Sequence, residues 1–571
     1  MLSQYLLIEG INLYDNMLDT DQLSIIRGTS FLYKHTVENI SSHFEDDLIP
    51  ISTGASSGLF LIKNDVSVTA LMDSLNKFLQ TPPYHLLPFA IESCVAGTCR
   101  QAKTQLTAQL RLHQLQQLTI KPDISDTGTP LSNLPCELTG YRIRAKNSSL
   151  KVQTGVQKPD RYVCASANTR YQYGREARHD FYSSLVSSCT AEKLRKDYDF
   201  CADIEALALD PSGISAEQSG RKVYPKLSDK IALIYIDGNQ FGRRQRDYVE
   251  NFDLSTMGST DPLNAIPDAA AQRHFDQRLQ AVRNGFLDSA IKWLMEDERR
   301  TGFAPLEGQK KLLRLETLQW GGDETLIVLP AWHGMAFIQH FFSWDWSFDG
   351  LETPLTHAAG VVFCHSKAPI RIIQRIARSL AENIKTQANG RRVDRWDYMV
   401  LESIDYPTRD DVNSYFMQRY GMHLGKRRNC NNLNLPGLPP AHDWSAAIQR
   451  ETDNLINGDD IAKRQLYHIH KTLRTSFSEI GEQNQRWSDY FKSTDEPINQ
   501  LSKAESRLIQ VSENSLWLER EFPDLVNRLF GLNMQDINER CWVWLHLMEL
   551  WNYLAPLADG VNSFAPSEEV V

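Results

Sequence analysis

Two short stretches decide the fold: Ile234-Tyr-Ile-Asp-Gly-Asn-Gln-Phe241 and Trp320-Gly-Gly-Asp-Glu-Thr-Leu-Ile-Val-Leu329. The first is an apolar run that ends in Asp237-Gly238, which reads as a buried strand entering a tight turn. The second is a glycine turn that opens another apolar run, which reads as a hairpin. Each has a fainter partner near the N-terminus. Tyr5-Leu-Leu-Ile-Glu-Gly-Ile-Asn12 resembles the first stretch, with Glu9-Gly10 in place of Asp237-Gly238. Thr53-Gly-Ala-Ser-Ser-Gly-Leu-Phe-Leu-Ile62 can be laid over the second. One architecture is therefore written twice, and only the later copy carries the carboxylates in its turn.

Working outward from these stretches, the later copy predicts a strand at 230–236 and a helix at 268–295. The helix has Phe275, Leu279, Val282, Phe286, Ala290 and Leu294 on one face. A hairpin is expected at 312–318 and 325–329, and a helix at 335–344. A strand at 358–364, a helix at 370–385 and a strand at 399–403 complete the copy. The pattern is that of a ferredoxin-like βαββαβ unit. The fold class expected is α+β, with two such units, an irregular insert between them and a C-terminal helical domain. The expected boundaries are 1–128 for the first unit, 129–227 for a cysteine-bearing insert and 228–408 for the second unit. A linker follows at 409–440, containing Pro436-Gly-Leu-Pro-Pro440, and the helical domain is expected at 441–571.

Composition sets bounds on function. At 571 residues the chain needs several cores. With 42% hydrophobic and 23% charged residues it is neither disordered nor collagenous. Its 61 basic and 71 acidic residues give a net charge of −10, which argues against non-specific phosphate binding as its main work. No apolar run reaches the length of a membrane span, and the N-terminus has no basic leader, so no membrane is expected. The odd count of nine cysteines fits reduced thiols and a cytoplasmic location.

The chemistry centres on Asp237, Asp323 and Glu324. In a βαββαβ sheet the first and third strands are neighbours, which brings these carboxylates together. Converged carboxylates repel, and a divalent cation is the usual remedy. The set expected around the cation is Asp237, Asp323 and Glu324 together with Ile236, which precedes Asp237. Gly238, Gly321 and Gly322 let backbone approach a triphosphate. Such a constellation suits two-metal nucleotidyl transfer.

The run Asp237-Gly-Asn-x-Phe-Gly242, then Gly-Gly-Asp-Glu, then His365-Ser-Lys-Ala-Pro-Ile370, resembles the palm domain of the large subunit of type III CRISPR effector complexes. That family is related to GGDEF nucleotide cyclases. The resemblance extends to the order of parts: a first palm without the catalytic turn, a cysteine-bearing segment, a second palm and a helical domain. Arg27-Gly-Thr-Ser-Phe-Leu32 also resembles the family's first-palm helix. The resemblance implies condensation of ATP into cyclic oligoadenylates with release of pyrophosphate, using Mg²⁺ or Mn²⁺. It implies Asp237 and Asp323 as metal-binding and catalytic residues, with Glu324 standing where the family usually has a second Asp. It implies nucleotide binding by Gly238, Asn239, Phe241, Gly242, Gly321 and Gly322, with Lys367 and Lys385 as phosphate-binding candidates. Ser56 and Ser57, in the first palm's turn, are candidates for a second nucleotide. Guide and target RNA and other effector subunits are the implied partners, in antiviral defence.

The departures are also informative. Family members often begin with an HD nuclease domain. Here the only His-Asp dipeptides, His179-Asp180 and His442-Asp443, lack companion ligands, so no such nuclease is expected. Two C-x-x-C pairs of the family are reduced to Cys136 and Cys164, with Thr139 and Ala167 in the second positions. Cys189 and Cys201 are the remaining candidates, and zinc is not expected. Two other readings stay open: a diguanylate-cyclase-like enzyme using GTP, and a weakly catalytic scaffold subunit of an RNA-guided complex.

Overall fold

A computed structural model of the chain describes residues 2–54, 56–116, 134–145, 151–152, 159–210, 224–253, 261–296, 310–386, 391–402, 446–457, 465–469, 520–535 and 537–558, with residues 412, 461, 463, 471 and 505. The proline-rich run at 436–440, His442-Asp443, Ala55 and all of the 409–440 linker except Val412 lie outside the described residues.

The first unit runs β1 (Ser3–Gly10), α1 (Leu13–Met17), α2 (Leu23–His43), β2 (Leu48–Thr53), β3 (Ser57–Ile62), α3 (Val68–Leu79), β4 (Phe89–Ala96) and α4 (Cys99–Gln116). Its sheet has the order β2-β3-β1-β4, with every neighbour antiparallel. Alternation along the strands divides the side chains between two cores. Leu6, Ile8 and Phe60 pack with α2 and α3, whereas Tyr5, Leu7 and Leu59 pack with α4.

The insert contains a short ladder of β5 (Lys151–Val152) and β6 (Arg161–Tyr162), then α5 (Ala165–Leu185), α6 (Ser188–Asp197), β7 (Tyr198–Phe200) and α7 (Ile204–Ala208). The expectation of an irregular insert is corrected here, because α5 runs for 21 residues. Its buried residues include Ala167, Arg170, Tyr171, Gly174, Arg178 and Phe181. Two of those six are arginines, so hydrophobic periodicity does not reveal the helix. Each arginine meets a buried acid. Arg170 grips Asp19 with both terminal nitrogens, at 3.0 and 2.8 Å. Arg178 and Arg27 each reach Glu316 at 2.5 Å. Helices α2 and α5 meet backbone to backbone at Gly28 and Gly174. A Cβ on Gly28 would stand 1.9 Å from the Arg170 carbonyl, and one on Gly174 would stand 2.0 Å from that of Ser24.

The second unit runs β8 (Lys230–Gly238), α8 (Phe241–Asn251), α9 (Pro267–Glu296), β9 (Lys311–Leu313), β10 (Glu316–Gly321), β11 (Glu324–Pro330), α10 (Ala331–Ser343), β12 (His357–His365), α11 (Ile370–Thr386) and β13 (Arg395–Leu401). Short β9 pairs with β7 of the insert. The main sheet has the order β10-β11-β8-β12-β13. Leaving β13 aside, both sheets read second, third, first, fourth strand. The fifth strand starts at Arg395, four residues before the predicted start, and lies parallel to β12. Strand β8 is apolar on both faces because both are covered. Helices α9 and α10 lie on the face of Ile236, and α11 lies on that of Asp237. There Gly360 meets the Ala377 carbonyl so closely that a Cβ would stand 1.9 Å from it.

The described part of the C-terminal region comprises α12 (Ala446–Asn457), α13 (Phe522–Phe530) and α14 (Ile537–Ala558). Leu455, Leu529, Trp544, Leu547 and Tyr553 join the core of the second unit. Tyr553 lies 4.2 Å, centroid to centroid, from Phe363 of β12.

The repeat holds residue by residue. Glu9 is paired with Ser57 in the first sheet, as Asp237 is with Glu324 in the second. The Gly10 N–H donates to the Ser56 carbonyl at 2.7 Å, and the Gly238 N–H donates to the Asp323 carbonyl at 3.0 Å. After the first strand of each unit a non-glycine residue adopts a left-handed conformation, Asn12 at φ 47° and Gln240 at φ 56°. The two units also embrace. Arg27 of α2 reaches Glu316 of β10, while Arg273 of α9 donates to the Pro50 carbonyl of β2 at 2.8 Å.

Candidate active site

Asp237 stands at the last turn of β8 and Asp323 at the tip of the β10–β11 hairpin. The tip needs Gly322, whose φ is +61°. Gly238 is required by proximity, since a Cβ there would lie 2.3 Å from the Phe241 ring. The Asp237 carboxyl is pushed above its ordinary range, mainly by burial, and further by the charges of Asp323 and Glu324. The Lys385 ammonium, 2.7 Å away at the end of α11, opposes that rise. Lys385 also donates to the Gly238 carbonyl at 2.8 Å, so it braces the turn on two sides. Asp323 opens onto solvent at the tip, yet its carboxyl is also raised, by the desolvation of its surroundings and then by Glu324.

Glu324 is placed differently. Its Oε2 accepts from the Tyr14 hydroxyl at 2.5 Å and from Gln319 Nε2 at 2.8 Å. Its Oε1 accepts from the Tyr235 hydroxyl at 2.8 Å. Tyr14 comes from the first unit.

The hairpin tip is held from behind by Arg283 of α9. This guanidinium donates to the Gly322 carbonyl and lies 4.7 Å from the centre of the Trp320 ring. Burial depresses its pKa to about 10, against the opposing pull of Asp323. Arg283 is the last of a polar row along α9. Arg273 reaches the Pro50 carbonyl and Gln280 reaches the Thr53 carbonyl at 3.3 Å. Between them Asp276 accepts from Gln245 and Gln272, and its side chain bonds that of Ser52. Burial raises the Asp276 carboxyl to about 6.

In front of this row is an open cleft of about 280 Å³. Its walls are Ser52-Thr53-Gly54 of the first unit and Gly322-Asp323 of the second. Phe241, Gly242 and Phe275 form part of its floor. A second cleft of about 620 Å³ shares Gly242 and Gln245 with it and continues between α4 and α8, past Arg100, Lys103 and Arg246.

The anticipated site residues divide into three groups. Asp237, Gly238, Phe241, Gly242, Gly321, Gly322, Asp323 and Lys385 gather at one end of the second sheet. Asn239 lies beside them but is buried, its side chain donating to the Val393 carbonyl at 3.1 Å. The first unit meets the cleft through Ser52-Thr53-Gly54, whereas Ser56 and Ser57 sit back in the β1–β3 pairing. Lys367 is corrected outright. It follows His365, which pairs with Lys230 at the far end of β8. That places it roughly 25 Å from Asp237 at ordinary strand rise. Arg283, Tyr14, Tyr235 and Gln319 were not anticipated. The only sequence signal for Arg283 is the polar spacing 273, 276, 280, 283 beside the apolar face of α9.

A divalent cation can be tested against these donors. Mg²⁺ uses one or two carboxylates and fills the rest of its shell with water and phosphate. Asp237 and Asp323, both raised by desolvation and by neighbouring negative charge, fit that demand. Glu324 fits poorly, because both of its oxygens are already hydrogen-bonded. Ile236 has no donor atom in its side chain and could contribute only its backbone carbonyl. Among the described residues no three His, Cys, Asp or Glu side chains form a metal-holding group. Asp237 and Asp323 therefore suit the expected cation better than Glu324 does. Cys136 and Cys164 lie together in a small core of their own, while Cys189 is exposed and Cys201 lies in the main core. No helix among the described residues is long and apolar enough to cross a membrane.

No protein-family model matches the chain, and neither does any curated protein. Solved structures do. The Type III-B Cmr-beta bound to cognate target RNA is 10% identical, with a TM-score of 0.43 over 83% of this chain and 78% of that one. The apo Csm1–Csm4 cassette is 11% identical, with a TM-score of 0.42 over 97% and 70%. Csm1 of T. onnurineus is 12% identical, with a TM-score of 0.42 over 96% and 70%. The solved structures to which this chain is similar thus include Cmr-beta and Csm1, large subunits of type III CRISPR complexes.

Proposed function

We propose that the chain is a metal-dependent nucleotidyltransferase of palm type, which condenses ATP into a cyclic oligonucleotide and releases pyrophosphate in CRISPR-type antiviral defence. The observation that carries this reading is the open cleft in which Gly322-Asp323 of one unit faces Ser52-Thr53-Gly54 of the other. One wall would hold the nucleotide being attacked and the other the nucleotide that attacks. Gly322, which has open space where a Cβ would stand, leaves room for phosphates against the backbone. Asp237 and Asp323 would hold the cation, which when bound neutralises triphosphate charge and makes a ribose 3′-hydroxyl easier to deprotonate. Lys385 keeps Asp237 ionised and fixes the Gly238 carbonyl. Arg283 fixes the tip that carries Asp323. Catalysis would rest on positioning and charge complementarity.

One observation favours the second reading, a scaffold with little activity. The Lys385–Asp237 ion pair already neutralises a carboxylate that a cation would need. The deciding experiment incubates the full chain with ATP or GTP and Mg²⁺ or Mn²⁺, alone and with partner subunits and target RNA, followed by mass spectrometry. Cyclic oligoadenylate that disappears in Asp323→Ala supports the enzyme. Product untouched by Asp323→Ala refutes the site, and no product under any condition leaves the scaffold.

A further inference from the structure

The repeat places Tyr14 where the second unit has Gly242. Gly10-Ile-Asn-Leu-Tyr14 and Gly238-Asn-Gln-Phe-Gly242 run in step from the end of the first strand through the left-handed residue. The two positions face opposite hairpins. Gly242 looks across the open cleft toward Ser52-Thr53-Gly54. Tyr14 reaches the β10–β11 hairpin, with its hydroxyl on Glu324 and Arg378 lying 4.9 Å from its ring centre. The two-unit arrangement therefore has two related junctions. One is open where the residue is glycine, and the other is filled where it is tyrosine.

We propose that Tyr14 and Glu324 form a latch that closes the second junction, so that Glu324 positions the hairpin from the first unit and is not a cation ligand. A carboxylate that takes three hydrogen bonds, two from tyrosine hydroxyls, has three of its about four lone-pair sites occupied by protein. Its partners lie on three segments, α1, β8 and β10, which makes it a junction between units. This inference rests on the assignment of Asp237 and Asp323 as the cation pair. It makes the chain a one-site enzyme despite its two similar units.

The test uses the full chain and has two arms. Mn²⁺ binding in the presence of α,β-methylene-ATP is followed by electron paramagnetic resonance in wild type, Tyr14→Phe, Glu324→Gln and Asp323→Asn. Thermal melting is followed for Tyr14→Phe, Glu324→Gln and the double variant. The latch predicts Mn²⁺ affinity within about threefold of wild type for Glu324→Gln and a loss of more than about tenfold for Asp323→Asn. It also predicts that the double variant melts little below the worse single variant, because one bond joins the two residues. Equal loss of Mn²⁺ in Glu324→Gln and Asp323→Asn overturns the proposal, and so do fully additive melting shifts. If Asp323→Asn binds Mn²⁺ normally, the cation assignment fails instead, and the melting cycle alone decides the latch.

Discussion

Replacement of Arg283 by methionine separates stability from positioning. The guanidinium gives a charge-assisted hydrogen bond to the Gly322 carbonyl, worth about 1.5–3 kcal/mol. Its stacking on Trp320 adds about 1–2 kcal/mol. Against these stands the cost of burying the charge. A pKa depressed to about 10 from 12.5 corresponds to about 3 kcal/mol. The gains and the cost nearly cancel, and methionine keeps the stem packed on Trp320. Arg283→Met should therefore cost less than about 2 kcal/mol of stability. The hairpin tip, however, loses its only described side-chain anchor from α9, and Asp323 moves with it. A displacement near 1 Å at such a group costs on the order of 100-fold in rate. The assay pairs denaturant unfolding with initial rates of oligonucleotide formation. The expected result is a large fall in kcat, little change in KM and nearly wild-type unfolding. Arg283→Lys, which keeps charge but not the fork, should lie between. Unchanged kcat in Arg283→Met would refute the reasoning, as would a stability loss above about 4 kcal/mol.

Other perturbations test the remaining arguments. Glu316→Gln leaves Arg27 and Arg178 buried without their shared acid, and should cost about 3–5 kcal/mol in chemical denaturation. Asp397 is buried against α14 and raised by that burial to about 7, so the folded state binds its proton more tightly than the unfolded state. Stability from this group falls as pH rises from about 4 to 7, so Asp397→Asn should raise the melting temperature at pH 8 and gain little at pH 5. Because Asp237 and Asp323 are both raised, Mn²⁺ binding should fail on acidification above the usual carboxylate range near pH 4. Lys385→Met should move that limb to still higher pH, as read by paramagnetic resonance across a pH series. Lys367→Ala should leave nucleotide affinity within about twofold by calorimetry, since the charge is exposed and beyond screening distance.

Much of the second unit was legible because its strands are buried on both faces and bounded by glycine turns. The overlay of Thr53–Ile62 on Trp320–Leu329 survives to the level of register, with Ser57 opposite Glu9 as Glu324 is opposite Asp237. Helix α5 was illegible for a physical reason. Arg170 and Arg178 occupy core positions and are satisfied by acids 138 residues or more away in sequence, which a hydrophobic period cannot register. The site was legible in its acids and incomplete in its supports. Asp237 and Asp323 belong to motifs, whereas Tyr14 meets Glu324 only through folding, 310 residues apart. Lys367 was misplaced because a motif following a strand does not say at which end of the sheet it emerges.

The embrace of the two units has a further consequence. Strands β2 and β10 are each one of the two edge strands of their sheets, where unpaired backbone groups can recruit a strand from another molecule. Each is covered by the long helix of the opposite unit, α9 over β2 and α2 over β10. Solubility is therefore a joint property of the halves. A fragment holding one unit would fold its sheet with a bare edge, and self-association would be its default fate. Each unit thus shields the other from aggregation, independently of any part in binding nucleotide.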